Sequence, residues 1–134
     1  MLLQSKSLKF KKIKKGKLSK YLFNSKKLKF GIVGLKAKQS GILTSRQIES
    51  ARQAINRKIS RKGKLWIRVF PSIPITAKPS ESRMGKGKGS VNHWAIKIKA
   101  GQLIFEICGV TKNLALLAFN SGKSKLPLKT LIHY

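Results

Sequence analysis

The sequence has very few groups that could carry out acid–base or metal chemistry. It contains only three acidic residues and two histidines in 134 positions. The acids are Glu49, Glu81 and Glu106, and no two of them are near one another in the sequence, so paired carboxylates for general acid–base catalysis are not indicated. His93 and His133 lack the spacing of metal ligands. We therefore expect no catalytic residue, no metal site, no cofactor and no enzymatic activity.

The chain also lacks a second cysteine and a long apolar run. Cys108 alone cannot form an internal disulfide or a cysteine-based zinc site, and we interpret it as a small core residue. No run of about 18 apolar residues occurs, so we expect no transmembrane helix. The hydrophobic share of 41% is nevertheless ordinary for a folded protein, which argues against a purely disordered basic tail.

Positive charge is what the sequence has in excess. Lysine and arginine total 31, and the formal net charge is +28. So many cations repel one another and oppose compaction unless a polyanion neutralises them. Nucleic-acid phosphates do this while releasing condensed counterions, so the composition favours a nucleic-acid-binding protein. Two other classes share this charge, namely a DNA-compacting architectural protein and a membrane-active cationic protein.

The seven residues from 83 to 89 combine three cations with three glycines. Glycines at this density disfavour a helix and leave little to pack in a strand. We predict a thin, bendable, positively charged loop over residues 80–90, here called the finger, whose backbone can approach a polyanion closely. A loop whose charges are simply solvated is the alternative. The residues singled out are Arg83, Met84, Gly85, Lys86, Gly87, Lys88 and Gly89.

Residues 1–29 form a second basic segment, here called the arm. Its apolar content is too low to bury it, and its like charges should keep it extended until phosphate neutralises them. The alternative is a mitochondrial transit peptide, although the arm is richer in lysine than in arginine. The candidate RNA-binding residues of the arm are Lys9, Lys11, Lys12, Lys14, Lys15 and Lys17.

The clearest local signal is a capping box in which Gln47 follows Thr44 by three residues. It predicts a helix from Ser45 to Lys62, ended by Gly63. Apolar residues at spacings of three and four form one stripe, consisting of Ile48, Ala51, Ile55 and Ile59. The remaining surface is mostly cationic, which favours a phosphate-facing surface over plain solvation. Its candidate residues are Arg46, Arg52, Arg57, Lys58, Arg61 and Lys62.

Several shorter patterns complete the expected secondary structure. Strands are predicted at 30–37, 64–70, 91–99, 102–108 and 128–132, with a hairpin joining 91–99 to 102–108 through Ala100-Gly101. Prolines at 71, 74 and 79 should end the ladder before the finger. A second helix should run from an N-cap at Thr111 to about Gly122, with Leu114, Leu117 and Ala118 on its apolar side.

The strand at 64–70 has two chemically different faces. Leu65, Ile67 and Val69 share one face. Trp66, Arg68 and Phe70 share the other. The second face could stack on a base or a sugar, but aromatic side chains of this kind are more often core, and we favour that interpretation. Arg68 is retained as a candidate RNA-binding residue.

Taken together, these segments resemble the bacterial-type large-subunit ribosomal protein sixteen family almost from end to end. The most specific runs are LTSRQIESAR at 43–52, GKLWIRVFP at 63–71, PITAKP at 74–79 and RMGKGKG at 83–89. The chain departs from the family at Gln53, where a cation is usual, and at Glu81, which puts an acid two residues before Arg83. Lysine also replaces arginine at many arm positions, which exchanges bidentate phosphate contacts for point-charge contacts.

The resemblance implies an α+β fold of the hammerhead type, with two helices on a small mixed sheet. It also implies a single ribosomal RNA-binding domain over residues 1–134. It implies a structural role in the large ribosomal subunit, with large-subunit rRNA, A-site tRNA and neighbouring ribosomal proteins as partners. No membrane insertion and no homo-oligomer are expected. The finger would lie near the peptidyl transferase centre and help to position aminoacyl-tRNA, and the family's hydroxylated arginine would correspond to Arg83.

The compartment is indicated by amino-acid composition and by one short run. The lysine, isoleucine and asparagine bias suits an AT-rich organellar genome. The run GQLIFEICGV at 101–110 is closer to mitochondrial than to plastid members. The sequence therefore favours a ribosome of the mitochondrial matrix, with the plastid and the bacterial cytoplasm as alternatives.

Overall fold

The computed structural model describes residue 3 and residues 12–18, 27–60, 62–85 and 87–134. Four of the candidate residues, Lys9, Lys11, Arg61 and Lys86, lie outside these ranges. The elements of the described chain are β1 Val33–Ala37, β2 Gly41–Thr44, α1 Ser45–Lys58, β3 Lys64–Ile67, β4 Ile73–Ala77, β5 Ser90–Ile98, β6 Leu103–Cys108, α2 Lys112–Lys123 and β7 Thr130–His133.

The strands form two small sheets in which every pair is antiparallel. The first sheet has the order β3-β6-β1-β7, and the second has the order β2-β5-β4. The α+β class with two helices is confirmed. The expected single mixed sheet is replaced by these two antiparallel sheets.

The predicted hairpin between 91–99 and 102–108 is wrong, although both strands exist. β5 belongs to the second sheet and β6 to the first. The chain changes sheets at Gly101, which has a φ of 88° and whose N–H donates to the carbonyl oxygen of Ala37 at 2.8 Å. β6 is buried along almost its whole length, and it therefore gains more as an inner strand between β3 and β1 than as one arm of a hairpin.

The two helices and the inner faces of both sheets enclose one hydrophobic core. α1 packs on α2, β2 and β5, while α2 packs on β1 and β7. Leu35, Phe105, Ile55 and Phe119 are all fully buried in this cluster. The helices approach closely at Gly122, where an added Cβ would lie 2.6 Å from Cγ1 of Ile55.

Helix α1 begins as predicted and ends earlier. The hydroxyl of Thr44 accepts from the N–H of Gln47 at 3.3 Å, and the Gln47 side chain accepts from the N–H of Thr44 at 2.9 Å, which confirms the capping box. The helix ends at Lys58 rather than Lys62, because Ser60 adopts a left-handed φ of 50°. Ile59 remains buried as the C-cap residue, so the apolar stripe is complete even though the helix is shorter.

Two smaller predictions also need correction. In α2, Leu114 packs against the core and Ala118 is buried, as predicted, but Leu117 is 61% exposed, and Ala115 and Phe119 are buried instead. Pro74 does not end the sheet but lies within β4, paired with Trp94. The ladder tolerates this proline because β4 is an edge strand, where a missing N–H leaves no neighbouring strand unpaired.

Candidate nucleic-acid interface

The finger is the tip of a hairpin formed by β4 and β5. These strands pair down to Ala77 opposite Ser90, so the loop between them is held on both sides, as predicted. Gly85 and Gly87 both have a φ of 88°, and an added Cβ at either would meet no atom within 4 Å. Backbone conformation rather than lack of space therefore requires glycine at these two positions. Met84 at the tip is 99% exposed.

The structure brings the arm against the finger, although 75 residues of chain separate them. The ammonium of Lys12 donates to the carbonyl oxygen of Lys88 at 2.8 Å, and the ammonium of Lys88 donates to the carbonyl oxygen of Ile13. Lys97 of β5 donates to the carbonyl oxygen of Lys17 at 3.5 Å. Backbone carbonyls, and not carboxylates, are thus the partners through which these lysines hold the arm.

Beneath this crossing lies the face of the second sheet that points away from the core. A cavity of about 370 Å³ separates the arm from this face, and it is lined mainly by Ile13, Ile42, Ile73, Ala95 and Lys97. The side chains of Lys12, Lys14, Lys15 and Lys17 are exposed. Residues 12–17 of the arm therefore lie over this face of the sheet, and their lysine side chains are open to solvent.

No carboxylate of the described residues forms a salt bridge with the arm or the finger. The salt bridges in these ranges are Arg52–Glu49 and Arg68–Glu106, and both lie elsewhere in the fold. Arg83 and Lys88 are exposed within the finger. We define the arm–finger surface as residues 12–17 together with Arg83 and Lys88.

Helix α1 presents a second group of cations, of which most are free. Arg46, Arg57, Lys58 and the following Lys62 are exposed and make no salt bridge within the described chain. Arg52 differs, because its Nε and Nη2 donate to the two oxygens of Glu49 at 2.9 and 2.6 Å. We call this cationic side of the helix the α1 surface.

The pair of Glu49 and Arg52 shifts both ionisations. The hydrogen bond from Arg52 lowers the pKa of Glu49 against the opposing effect of its partial burial. The same bond raises the pKa of Arg52. Because the pKa of Glu49 is lowered on folding, the pair stabilises the protein at pH values above 4.5, and this contribution is lost as the pH falls through the lowered pKa. Gln53 also donates to Glu49, at 3.3 Å, and so supports the acid.

Two polar grooves flank Arg52 on the α1 surface. One, of about 500 Å³, is lined by Arg52, Gln53, Asn56, Arg57 and Ser60. The other, of about 240 Å³, shares Arg52 and Asn56 and continues to Lys64 and Leu65 of β3. Of the cations on this surface, Arg52 is paired with Glu49, whereas Arg57, Lys58 and Lys62 make no salt bridge within the described chain.

The remaining candidate, Arg68, is held inside the molecule. Its Nη1 donates to Oε1 of Glu106 at 2.8 Å, and only 18% of its side chain is exposed. The other oxygen of Glu106 accepts from the N–H groups of Lys29, Phe30 and Gly31 at 3.1, 2.7 and 3.0 Å. Arg68 therefore positions the root of the arm through Glu106, and its role in RNA binding stays a prediction.

Sequence reasoning missed Glu106 and Phe30 as members of this region. Glu106 is completely buried, whereas the sequence shows it only as one of three isolated acids. An acid in the middle of an otherwise apolar strand, LIFEIC, was the available signal, because a buried carboxylate requires a partner. Phe30 stacks on Trp66, and no local pattern predicts this contact because the two residues are distant in the sequence.

Within the described chain, no group of histidine, cysteine and acidic residues could hold a metal ion. Across those same ranges, the helices are too short or too polar to span a membrane.

Comparison with known proteins gives one consistent family. Residues 5–133 match the model of the ribosomal protein L16p/L10e family. The chain is 50% identical to large ribosomal subunit protein uL16 of Chelativorans sp. (strain BNC1) over 129 residues, which cover 96% of this chain and 94% of that protein. It is 48% identical to the protein of the same name from Sphingopyxis alaskensis over 131 residues, or 98% and 92% of the two chains. It is also 50% identical to the protein of that name from Cereibacter sphaeroides (strain ATCC 17029 / ATH 2.4.9) over 131 residues, which cover 98% of this chain and 96% of that protein.

The different surroundings of the two paired glutamates predict different effects of the same substitution. Glu106→Gln should lower the free energy of unfolding by about 3 kcal/mol, because it leaves Arg68 partly buried without a counter-charge. Glu49→Gln removes the same charge from a pair on the helix surface and should cost about 0.5 kcal/mol or less. Urea denaturation of both variants measures the difference. Equal losses would show that Glu106 does not hold the arm root.

Proposed function

Because the chain belongs to the ribosomal protein L16p/L10e family, we propose that it binds large-subunit rRNA through the arm–finger and α1 surfaces and positions A-site aminoacyl-tRNA with its finger. Membership of this family makes the chain a structural protein of the large ribosomal subunit and not an enzyme. The proposal concerns which residues meet the RNA and what the contacts achieve.

The observation that carries the proposal is the meeting of Lys12 and Lys88, each bonded to a backbone carbonyl and neither in a salt bridge with a carboxylate of the described residues. Bringing two ammonium-bearing segments together costs electrostatic free energy in the isolated protein. Phosphates of a folded RNA would make this electrostatic free energy favourable, since each neutralised phosphate releases counterions. The arm–finger surface is therefore built to be completed by a polyanion, with the glycines of the finger allowing its backbone to follow the RNA closely.

The α1 surface supplies a second set of phosphate contacts on a rigid element. The capping box and the buried stripe fix the orientation of the helix, so its exposed cations have defined positions relative to the core. Phosphate contacts of this kind fix register and orientation without reading base sequence. We propose that these cations contact the rRNA backbone, and we propose the same contact for Lys9, Lys11, Arg61 and Lys86. The α1 residues concerned are Arg46, Arg57, Lys58 and Lys62.

The finger has the properties required of a tRNA-positioning element. Its root is fixed by the β4–β5 pairing, while its tip at Arg83 and Met84 is exposed and makes no salt bridge within the described chain. A charged tip on a fixed root can stabilise one arrangement of RNA without forming or breaking bonds. We propose that Arg83 contacts RNA near the peptidyl transferase centre during accommodation of the A-site tRNA.

For the compartment, we propose the mitochondrial ribosome, because the lysine, isoleucine and asparagine bias of the sequence suits an AT-rich organellar genome. The bacterial relatives fit the bacterial alternative. Sedimentation of the native protein decides between them. Recovery with large subunits from purified mitochondria is expected, and recovery with cytoplasmic bacterial subunits or with plastid subunits would contradict the proposal.

Removing the two lysines that join arm and finger should weaken rRNA binding in a salt-dependent way. For the double variant Lys12→Gln/Lys88→Gln, we expect the slope of log affinity against log salt to fall by up to about one unit for each lysine. The matched control is Lys125→Gln/Lys129→Gln, which removes the same charge from exposed positions before β7. Equal effects of the two double variants, or a dissociation constant that does not vary with salt, would contradict the proposed surface.

Replacing Arg83 should impair tRNA accommodation and leave the fold intact. Arg83→Ala removes an exposed side chain, so thermal unfolding should not change. The loss of a charged hydrogen bond to RNA should slow accommodation in assembled ribosomes on the order of 10-fold. Ser82→Ala, an exposed neighbour without charge, serves as control. Accommodation at the normal rate in Arg83→Ala ribosomes would refute this role of the finger.

A further inference from the structure

Four side chains at the root of the arm form a connected group of two stacked rings, each with a cation over it. The rings of Phe30 and Trp66 lie 6.0 Å apart between centroids with an interplanar angle of 20°. The guanidinium of Arg68 lies 4.8 Å from the Phe30 centroid, and the ammonium of Lys64 lies 5.3 Å from the Trp66 centroid. Phe30 is nevertheless 54% exposed. We call this stack the aromatic platform.

The platform is fixed in place by the buried carboxylate of Glu106. One of its oxygens accepts the N–H groups of residues 29–31, which sets the backbone that carries Phe30. The other accepts from Arg68, which lies against the Phe30 ring. At Gly31, an added Cβ would lie 2.6 Å from the carbonyl oxygen of Ile107, so the backbone here packs directly on β6. A ligand therefore meets a preorganised ring and loses little affinity to ordering it.

More than half of Phe30 is exposed, so part of its ring remains open to a ligand. A cation accompanies each ring of the stack: Arg68 lies over Phe30, and Lys64 lies over Trp66. Exposed aromatic rings flanked by lysine and arginine are the arrangement on which proteins stack unpaired nucleobases while the cations meet the adjoining phosphates.

We propose that the aromatic platform binds an unpaired nucleobase of RNA against the exposed surface of Phe30, with Lys64 directed to the phosphate of the same or the next nucleotide. This rests on the proposed function, because it assumes an RNA partner, and it adds a base contact to surfaces otherwise made of phosphate contacts. An RNA partner is favoured over an apolar protein segment because cations border both rings, and because Glu106, the acid that the structure places beside them, is already paired with Arg68.

The test compares a single-stranded RNA oligomer with an oligomer of equal length and charge whose nucleotides lack bases. The full-length protein should bind the base-bearing oligomer more tightly. Phe30→Leu keeps the backbone bonds to Glu106 and an apolar side chain, but it removes the ring. We expect this variant to lose about 5- to 100-fold in affinity for the base-bearing oligomer and nothing for the abasic one, with the salt slope unchanged for both.

Phe70→Leu is the matched control, because Phe70 is also a half-exposed phenylalanine, at 46%, yet it takes no part in the ring stack that the described chain shows. It should bind both oligomers as the unaltered protein does. If Phe30→Leu binds each oligomer as tightly as the unaltered protein does, the platform is overturned and that face is left for a protein partner. Absence of salt-dependent binding to either oligomer would instead count against the proposed function itself.

Discussion

The buried carboxylate of Glu106 is the interaction on which the arrangement of the charged segments depends. In a chain with a formal charge of +28, this acid is completely excluded from solvent and accepts four hydrogen bonds. An unpaired carboxylate in such a place would be strongly unfavourable, and pairing with Arg68 and three N–H groups offsets that cost. Because the acid and its partners come from three distant stretches of chain, satisfying one group fixes the arm root, the end of β3 and the inner strand β6 together.

The way in which Glu49 and Glu106 are paired explains why most of the cations keep a positive charge that phosphate could neutralise. Glu106 neutralises Arg68 inside the fold, and Glu49 neutralises Arg52 on the helix, so both arginines serve the structure of the protein. The lysines that join the arm to the second sheet donate to backbone carbonyls. A carbonyl satisfies a donor without cancelling its charge. The cations are therefore oriented by the fold but remain free to be neutralised by phosphate, which is the condition for salt-dependent binding.

The sequence predicted those features that depend on neighbouring residues. The capping box at Thr44, the stripe of α1 and the placement of the finger between strands all follow from short-range patterns. What it did not predict depends on distant contacts. The division of β5 and β6 between two sheets is decided by the burial of β6, and the end of α1 by the left-handed conformation of Ser60. The crossing of Lys12 and Lys88 in the candidate site likewise joins segments with no shared pattern.

The two kinds of RNA contact that we propose require different mechanics, and the chain provides both. Phosphate positions along a folded RNA vary, and a glycine-containing tip can adapt to them because the space beside Gly85 and Gly87 is open. A stacked base instead needs a ring of fixed orientation, since stacking falls off when the planes tilt or separate. Phe30 has that fixed orientation because its own N–H is bound to Glu106. The same buried acid that holds the arm root would thus also support the proposed base contact, while the glycines of the finger would supply the adaptability.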